Sequence, residues 1–273
     1  MTLWAHVKSA ASLAFITINL LVWCGPLAIL AVLKWAVPGR RSQIDAAMDW
    51  IYRAATRLDD FWLDGVLGLS WNRPALDLRR DEMILVLSNH VSWADIFVIQ
   101  SVIAIEGPIL KFLAKRELVR IPIFGLIFWA FDFPLLDRNV SRRDDDLAAL
   151  RAACESVRTR PAALMNFAEG TRFSEEKRVA RGSRFDHLLD PKAGGFSALV
   201  EALGPDLDRI IDLTLIYPIG TSFWKFLSGD CDPIRIEARS TPRTSLGEHR
   251  EAWRDWLEEA WAIKDRTITE HRE

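Results

Sequence analysis

An uncharged stretch of 25 residues, Ser9 to Leu33, exceeds the roughly 20 apolar residues that span a bilayer, and it constrains this chain more than any other feature. Lys8 precedes it, and Lys34, Arg40 and Arg41 follow. The heavier basic flank on the C-terminal side predicts that the remainder stays on the cytosolic side of a cell (inner) membrane. Gly25-Pro26 interrupts the stretch, so a single span and a re-entrant pair of short helices are both compatible with it. A cleaved signal peptide fits less well, because the leading residues carry little positive charge and LKWAVPGRR offers no small-x-small cleavage pattern. The expected division is an anchor over 1–42 and one domain over 43–273.

With 273 residues, half of them apolar, the chain can bury one large core. Its 35 Lys and Arg nearly balance 37 Asp and Glu, so it lacks the basic field of a dedicated nucleic-acid binder, and no nucleic-acid partner is expected. Cys24, Cys154 and Cys231 are odd in number and widely spaced, which argues against a disulfide framework or zinc site and fits a reducing compartment. Of the 12 tryptophans, Trp4, Trp23, Trp35, Trp50 and Trp62 flank the N-terminal segment or lie in apolar stretches, a distribution favoured at membrane interfaces.

Beyond the anchor, Gln43 to Leu58 has apolar residues at helical spacing. Strands are expected at 61–71, 83–88, 109–114, 133–136, 162–167, 209–217 and 233–239, and helices at 92–105, 121–131, 141–158, 192–203, 221–227 and 246–266. The charged segment 173–192, with Gly182 and Pro191, reads as a long surface loop. This alternation predicts an α/β domain with a single mixed or mostly parallel sheet flanked by helices. The charged motifs then fall at strand C-termini, where open α/β sheets place ligands.

Two motifs carry the chemistry. Asn89-His90-x4-Asp95 lies at a strand-to-helix junction. A neutral imidazole there can take a proton from a hydroxyl while a carboxylate fixes its tautomer, although a helix start with a merely hydrogen-bonded histidine has the same spacing. Phe167-Ala168-Glu169-Gly170-Thr171-Arg172 ends another strand. Glycine permits close approach of a ligand, Thr171 can donate a hydrogen bond, and Arg172 can fork onto a phosphate, whereas the bland alternative is an ordinary turn with a surface Glu-Arg pair. Arg138, at the end of FPLLDR, adds a second guanidinium.

These blocks, with Lys115-Arg116-Glu117-Leu118 running through Pro122 and Gly125 to Asp137-Arg138, and with Leu215-Ile216-Tyr217-Pro218, resemble the 1-acylglycerol-3-phosphate acyltransferases and their lysophospholipid acyltransferase relatives. The FAEGTRFS and LIYPIGTSFWKFLSG segments resemble the branch that includes lysocardiolipin-type enzymes and their bacterial counterparts. The resemblance implies transfer of a fatty acyl group from acyl-CoA or acyl carrier protein to a lysophospholipid hydroxyl at the bilayer. It implies no cofactor beyond that thioester co-substrate. His90 would be the general base and Asp95 its orienter, while Arg138, Glu169, Gly170, Thr171, Arg172 and Lys115 would hold the acceptor phosphate. Tyr217-Pro218-Ile219 stands where valine-proline forms are commoner in the family.

Other readings remain open. A catalytically silent lipid-binding protein would share the anchor, and a metallohydrolase would recruit Asp186 or His187 beside His90 and Asp95. Neither Cys154 nor Ser183 has the surroundings of an acyl-accepting nucleophile, so direct transfer is expected. Asp144-Asp145-Asp146 more often complements a helix start than binds metal, and no metal is expected.

Overall fold

The computed structural model describes residues 1–136, 150–154 and 161–272, with Lys115 and Leu136 described by their backbone alone. Arg138, Asp144 to Asp146 and most of the helix expected over 141–158 lie outside the described residues.

Strand β1 (Met83–Ser88) is the centre of a five-stranded sheet. It pairs in parallel with β5 (Ala162–Phe167) on one side and with β6 (Arg209–Ile216) on the other. Outside these lie parallel β2 (Leu110–Phe112) and antiparallel β7 (Arg235–Pro242), giving the order β2-β5-β1-β6-β7. The expected mixed, mostly parallel sheet is what forms. The unbroken run MILVLS follows from burial on both faces: Leu85 and Leu87 join one core cluster, Ile84 and Val86 the other. Two short strands, β3 (Ala114–Lys115) and β4 (Leu135–Leu136), form a separate parallel pair.

One face is covered by α3 (Asp95–Ile103) and α7 (Phe223–Leu227), the other by α6 (Ala193–Leu203) and α8 (Arg250–Glu270). Helix α4 (Pro122–Ala130) packs against the N-terminal helix. Lys264 of α8 is fully buried and reaches Asp212 of β6 at 2.5 Å and the carbonyl oxygen of Leu213 at 2.7 Å, while Arg239 of β7 takes the other Asp212 oxygen at 2.8 Å. Burial pulls the Lys264 ammonium below its usual range, and Asp212 opposes that.

Two local expectations fail. Residues 61–66 are not strand but a π-helical continuation of α2 (Arg41–Asp60), and of the rest of 61–71 only Trp71 makes an isolated bridge, to Ile234. The aromatic composition that suggested a strand serves helix packing instead: Trp62 stacks on Phe15 at 4.2 Å and donates to Ser12. Segment 173–192 is not all loop, because Ser174 caps a short helix, α5 (Glu175–Arg181), that Gly182 ends at φ 60°.

Helix α1 (Leu3–Ala36) is continuous through Pro26 and about 51 Å long at 1.5 Å per residue. By length and composition it could cross a membrane. Its amphipathicity is inverted: Ala5, Ser9, Ser12 and Asn19 are buried against the domain, while Ile18, Leu21, Val22, Ile29 and Val32 are exposed. Ser9 donates to the carbonyl of Trp224, and Asn19 to Ala55 and Asp59 of α2. Lys8 pairs with Asp230 near one end, and Lys34 with Asp45 and Asp132 near the other. Contacts therefore cross residue 42 along the whole helix.

Removing Lys264 strands the buried Asp212 carboxylate beside a half-exposed arginine. Lys264→Ala should lower unfolding stability by about 3–5 kcal/mol, read by denaturant titration in detergent; a loss below about 1 kcal/mol would show that the pair does not hold α8 to the sheet.

Candidate active site

The parallel register places Ser88 of β1 beside Phe167 of β5. The chain leaves both strands at the same edge, so Asn89-His90 and Ala168-Glu169 emerge together. Glu169 is fully buried, accepting the His90 amide on Oε1 at 2.9 Å and the Leu189 amide on Oε2 at 3.0 Å. Burial pushes its carboxyl up to about 7, against the pull of both amides and of Lys264. Glu169, expected to hold phosphate, has both oxygens engaged by backbone amides and no exposed surface.

Asn89 performs a similar service toward β6. Its side chain donates to the Leu215 carbonyl at 2.9 Å and accepts the Leu215 amide at 2.8 Å, extending the β1–β6 ladder past the last strand residue.

His90 and Asp95 meet as their spacing suggests. Nδ1 of His90 lies 2.8 Å from Oδ2 of Asp95, and the same oxygen accepts the amides of Val91 at 2.8 Å and Ser92 at 3.1 Å. A carboxylate is acceptor only, so Nδ1 carries the proton and Nε2 presents a lone pair. Asp95 is fully buried in the first turn of α3, whereas 18% of the His90 side chain remains exposed. The imidazole stacks on Phe167 with ring centres 3.9 Å apart and planes 16° from parallel.

Around this pair stands a cationic rim. Arg172 is exposed and rests over the indole of Trp93 at 4.9 Å. Lys177, from the first turns of α5, donates to the Thr171 hydroxyl at 3.1 Å and to the Arg172 carbonyl at 2.8 Å, leaving the Thr171 hydrogen free to donate elsewhere. Gly170 has φ 69°, and a Cβ there would lie 2.7 Å from the Lys192 ammonium, so glycine lets that side chain cross the turn. Lys177 and Lys192 escaped the sequence reading. Ser174 and Gly182 held the signal for the former, as helix caps within a segment that looked like loop. Lys115 has only its backbone described, paired with Leu136, and Arg138 lies outside the described residues.

Among the described residues no three His, Cys, Asp or Glu side chains converge as metal ligands. The amides of Asp186 and His187 bind Asp265 of α8, and His187 meets Arg272, so the set imagined for a metallohydrolase is not assembled.

A mixed α/β sheet presents a His–Asp pair and a basic turn at one strand edge, and comparison with known proteins supplies the class. Residues 75–222 match the Acyltransferase family, more than half of the chain, and the chain belongs to that family. It is 24% identical to the mouse 1-acyl-sn-glycerol-3-phosphate acyltransferase epsilon over 70% of its own length and 59% of the relative's. Identity is 26% to 1-acyl-sn-glycerol-3-phosphate acyltransferase 3 of Arabidopsis thaliana, over 78% and 60%, and 26% to the Neisseria meningitidis 1-acyl-sn-glycerol-3-phosphate acyltransferase, over 71% and 73%. The chain thus spans about three fifths of the mouse and plant relatives. The crystal structure of the 1-acyl-sn-glycerophosphate acyltransferase PlsC from Thermotoga maritima shares the fold, with a TM-score of 0.54 at 18% identity, covering 94% of this chain and 98% of the other.

The raised Glu169 carboxyl has a consequence for stability. Its folded value of about 7 lies above its ordinary 4.5, so the folded chain holds this proton more readily than the unfolded one. The resulting stability is full below the unfolded value and is lost as pH rises through 7, by at most about 3 kcal/mol. Glu169→Gln cannot titrate. The stability of the wild type relative to this variant should fall between pH 5 and 8 in denaturant titrations; a difference independent of pH would remove the burial effect.

Proposed function

We propose that the chain transfers a fatty acyl group from acyl-CoA or acyl carrier protein to the free hydroxyl of 1-acylglycerol-3-phosphate, forming phosphatidic acid. The observation that carries this reading is the Asp95-held imidazole of His90 next to the β5 turn, whose residues 170–172 are contacted by Lys177 and Lys192 and end in Arg172. The names of the sequence relatives support the acceptor.

In this reading the acceptor phosphate rests on the cationic rim, with Arg172 released from Trp93 to fork onto it. Its hydroxyl donates to Nε2 of His90. As oxygen attacks the thioester carbonyl, His90 takes the proton and Asp95 stabilises the imidazolium. The tetrahedral adduct collapses by breaking the C–S bond, and the departing thiolate receives the proton from His90. A thiolate, with a conjugate-acid pKa of about 8.5, departs more easily than an alkoxide, so one base serves both steps. No protein nucleophile is needed.

His90→Ala should lower kcat by about 10²–10⁴-fold. Arg172→Ala should raise the acceptor KM by about 10- to 100-fold, the equivalent of one charge-assisted hydrogen bond. Both are read by acyl transfer with a panel of lysophospholipids and defined thioesters. Full activity of His90→Ala would end the catalytic assignment, and a better rate with lysophosphatidylglycerol or lysocardiolipin would move the acceptor.

We also propose that α1 lies along the cytosolic face of the cell membrane with its exposed apolar side in lipid. Support comes from its inverted amphipathicity and from the ion pairs that fasten both of its ends to the same domain. Ile18→Glu combined with Ile29→Glu should release the protein from liposomes in flotation assays. Unchanged flotation would sink this placement.

A further inference from the structure

Oδ2 of Asp95 accepts three hydrogen bonds, but Oδ1 accepts none of ordinary geometry although it is fully buried. The Tyr217 hydroxyl is likewise buried without a partner, and it stands beside the Asp95 carboxylate. Two orphan polar atoms facing one another in a dry site are costly unless they meet. Tyr217 follows directly after β6, whose end is held by the Asn89 clamp on Leu215, so the phenol is delivered by the same element that finishes the sheet.

We propose that Tyr217 is a positioning residue, donating its hydroxyl hydrogen to Oδ1 of Asp95 so that Oδ2 keeps facing His90 as the imidazole charges. This rests on the reading of His90 as general base. The charged and titratable groups around the pair are Glu169 from the β5 turn, Cys231 from the loop before β7 and Arg172 over Trp93, with Lys264 acting on Glu169 from behind. The Tyr217 hydroxyl, itself without a partner among the described residues, can donate to the open oxygen without displacing a bond already made. Donation draws electron density from the carboxylate. Its loss leaves Asp95 free to turn about its last bond and makes it a stronger partner for a protonated imidazole.

The test is Tyr217→Phe in the detergent-purified full chain, with His90→Ala alongside. The expected result is a kcat lower by about tenfold, the scale of one hydrogen bond to a charged group, with acceptor and donor KM within about twofold. The acid limb of the kcat–pH profile should move to higher pH, since a less stabilised carboxylate holds the imidazolium proton harder. A merely structural role would lower thermal stability without moving that limb. If His90→Ala is inactive while Tyr217→Phe keeps the wild-type kcat and pH profile, the positioning role is overturned and the base stands. If His90→Ala keeps its activity, the function reading itself has failed. Should Tyr217→Phe not fold, Tyr217→Leu and Tyr217→Met, which also lack a donor, give the same kcat-against-KM comparison, and retention of the wild-type pH profile by either overturns the proposal.

Discussion

The site depends on a carboxylate that no substrate can touch. Glu169 joins two turns that leave adjacent parallel strands, accepting one amide from each side. Both amides, one just past β1 and the other in the loop before α6, would otherwise lack this acceptor, and a buried donor left unmatched costs about 1–3 kcal/mol. One side chain answers both. By fixing the His90 backbone it sets where the imidazole begins, and by fixing Leu189 it brings the following residues back so that Lys192 crosses Gly170. A group that sequence reading assigns to phosphate binding thus holds the frame on which Lys192 crosses the turn.

Much of this was legible because it is local. Strand β1 and the His90–Asp95 pair belong to one strand–turn–helix unit, in which a five-residue separation suffices to bring Nδ1 to Oδ2. Strand β5 was readable from a buried apolar run ending in charge. What escaped depends on partners far along the chain. Tyr217 reaches Asp95 only because β6 pairs with β1, and the Asn89 clamp that sets the end of that pairing joins residues 126 apart. Residues 61–66 show the opposite failure, since Phe61, Trp62 and Leu63 suit a strand by type but form a helical turn in which Trp62 stacks on Phe15 of α1 and Leu63 is buried, while Phe61 stays exposed. Propensity there gives way to packing.

Helix α1 illustrates how one pattern can be read two ways. An uncharged run of this length predicts a membrane segment, and hydropathy says nothing of which side faces what. The structure separates the faces: small residues, Asn19 and Leu27 look inward, where Ser9 and Asn19 find carbonyls, while Ile18, Leu21, Val22, Ile29 and Val32 look outward. Such an arrangement is unfavourable in water and favourable at a lipid surface, because the exposed apolar area then has somewhere to go.

The same helix is mechanically close to the chemistry. Ser9 of α1 grips the Trp224 carbonyl of α7, and Phe223 of α7 stacks on Phe97 of α3 with rings 6.4 Å apart and 11° from parallel. Helix α3 begins with Asp95. A membrane-facing helix, a short five-residue helix and the helix that carries the orienting carboxylate are therefore packed in series. On the proposed function the acceptor is a membrane lipid that must present its hydroxyl at a fixed height above the bilayer, and effective molarity falls steeply with misplacement of about 1 Å. Rigid packing between anchor and dyad holds that height constant. If α1 lies in lipid as proposed, this is a physical reason for joining it to the domain along its length rather than by a flexible linker.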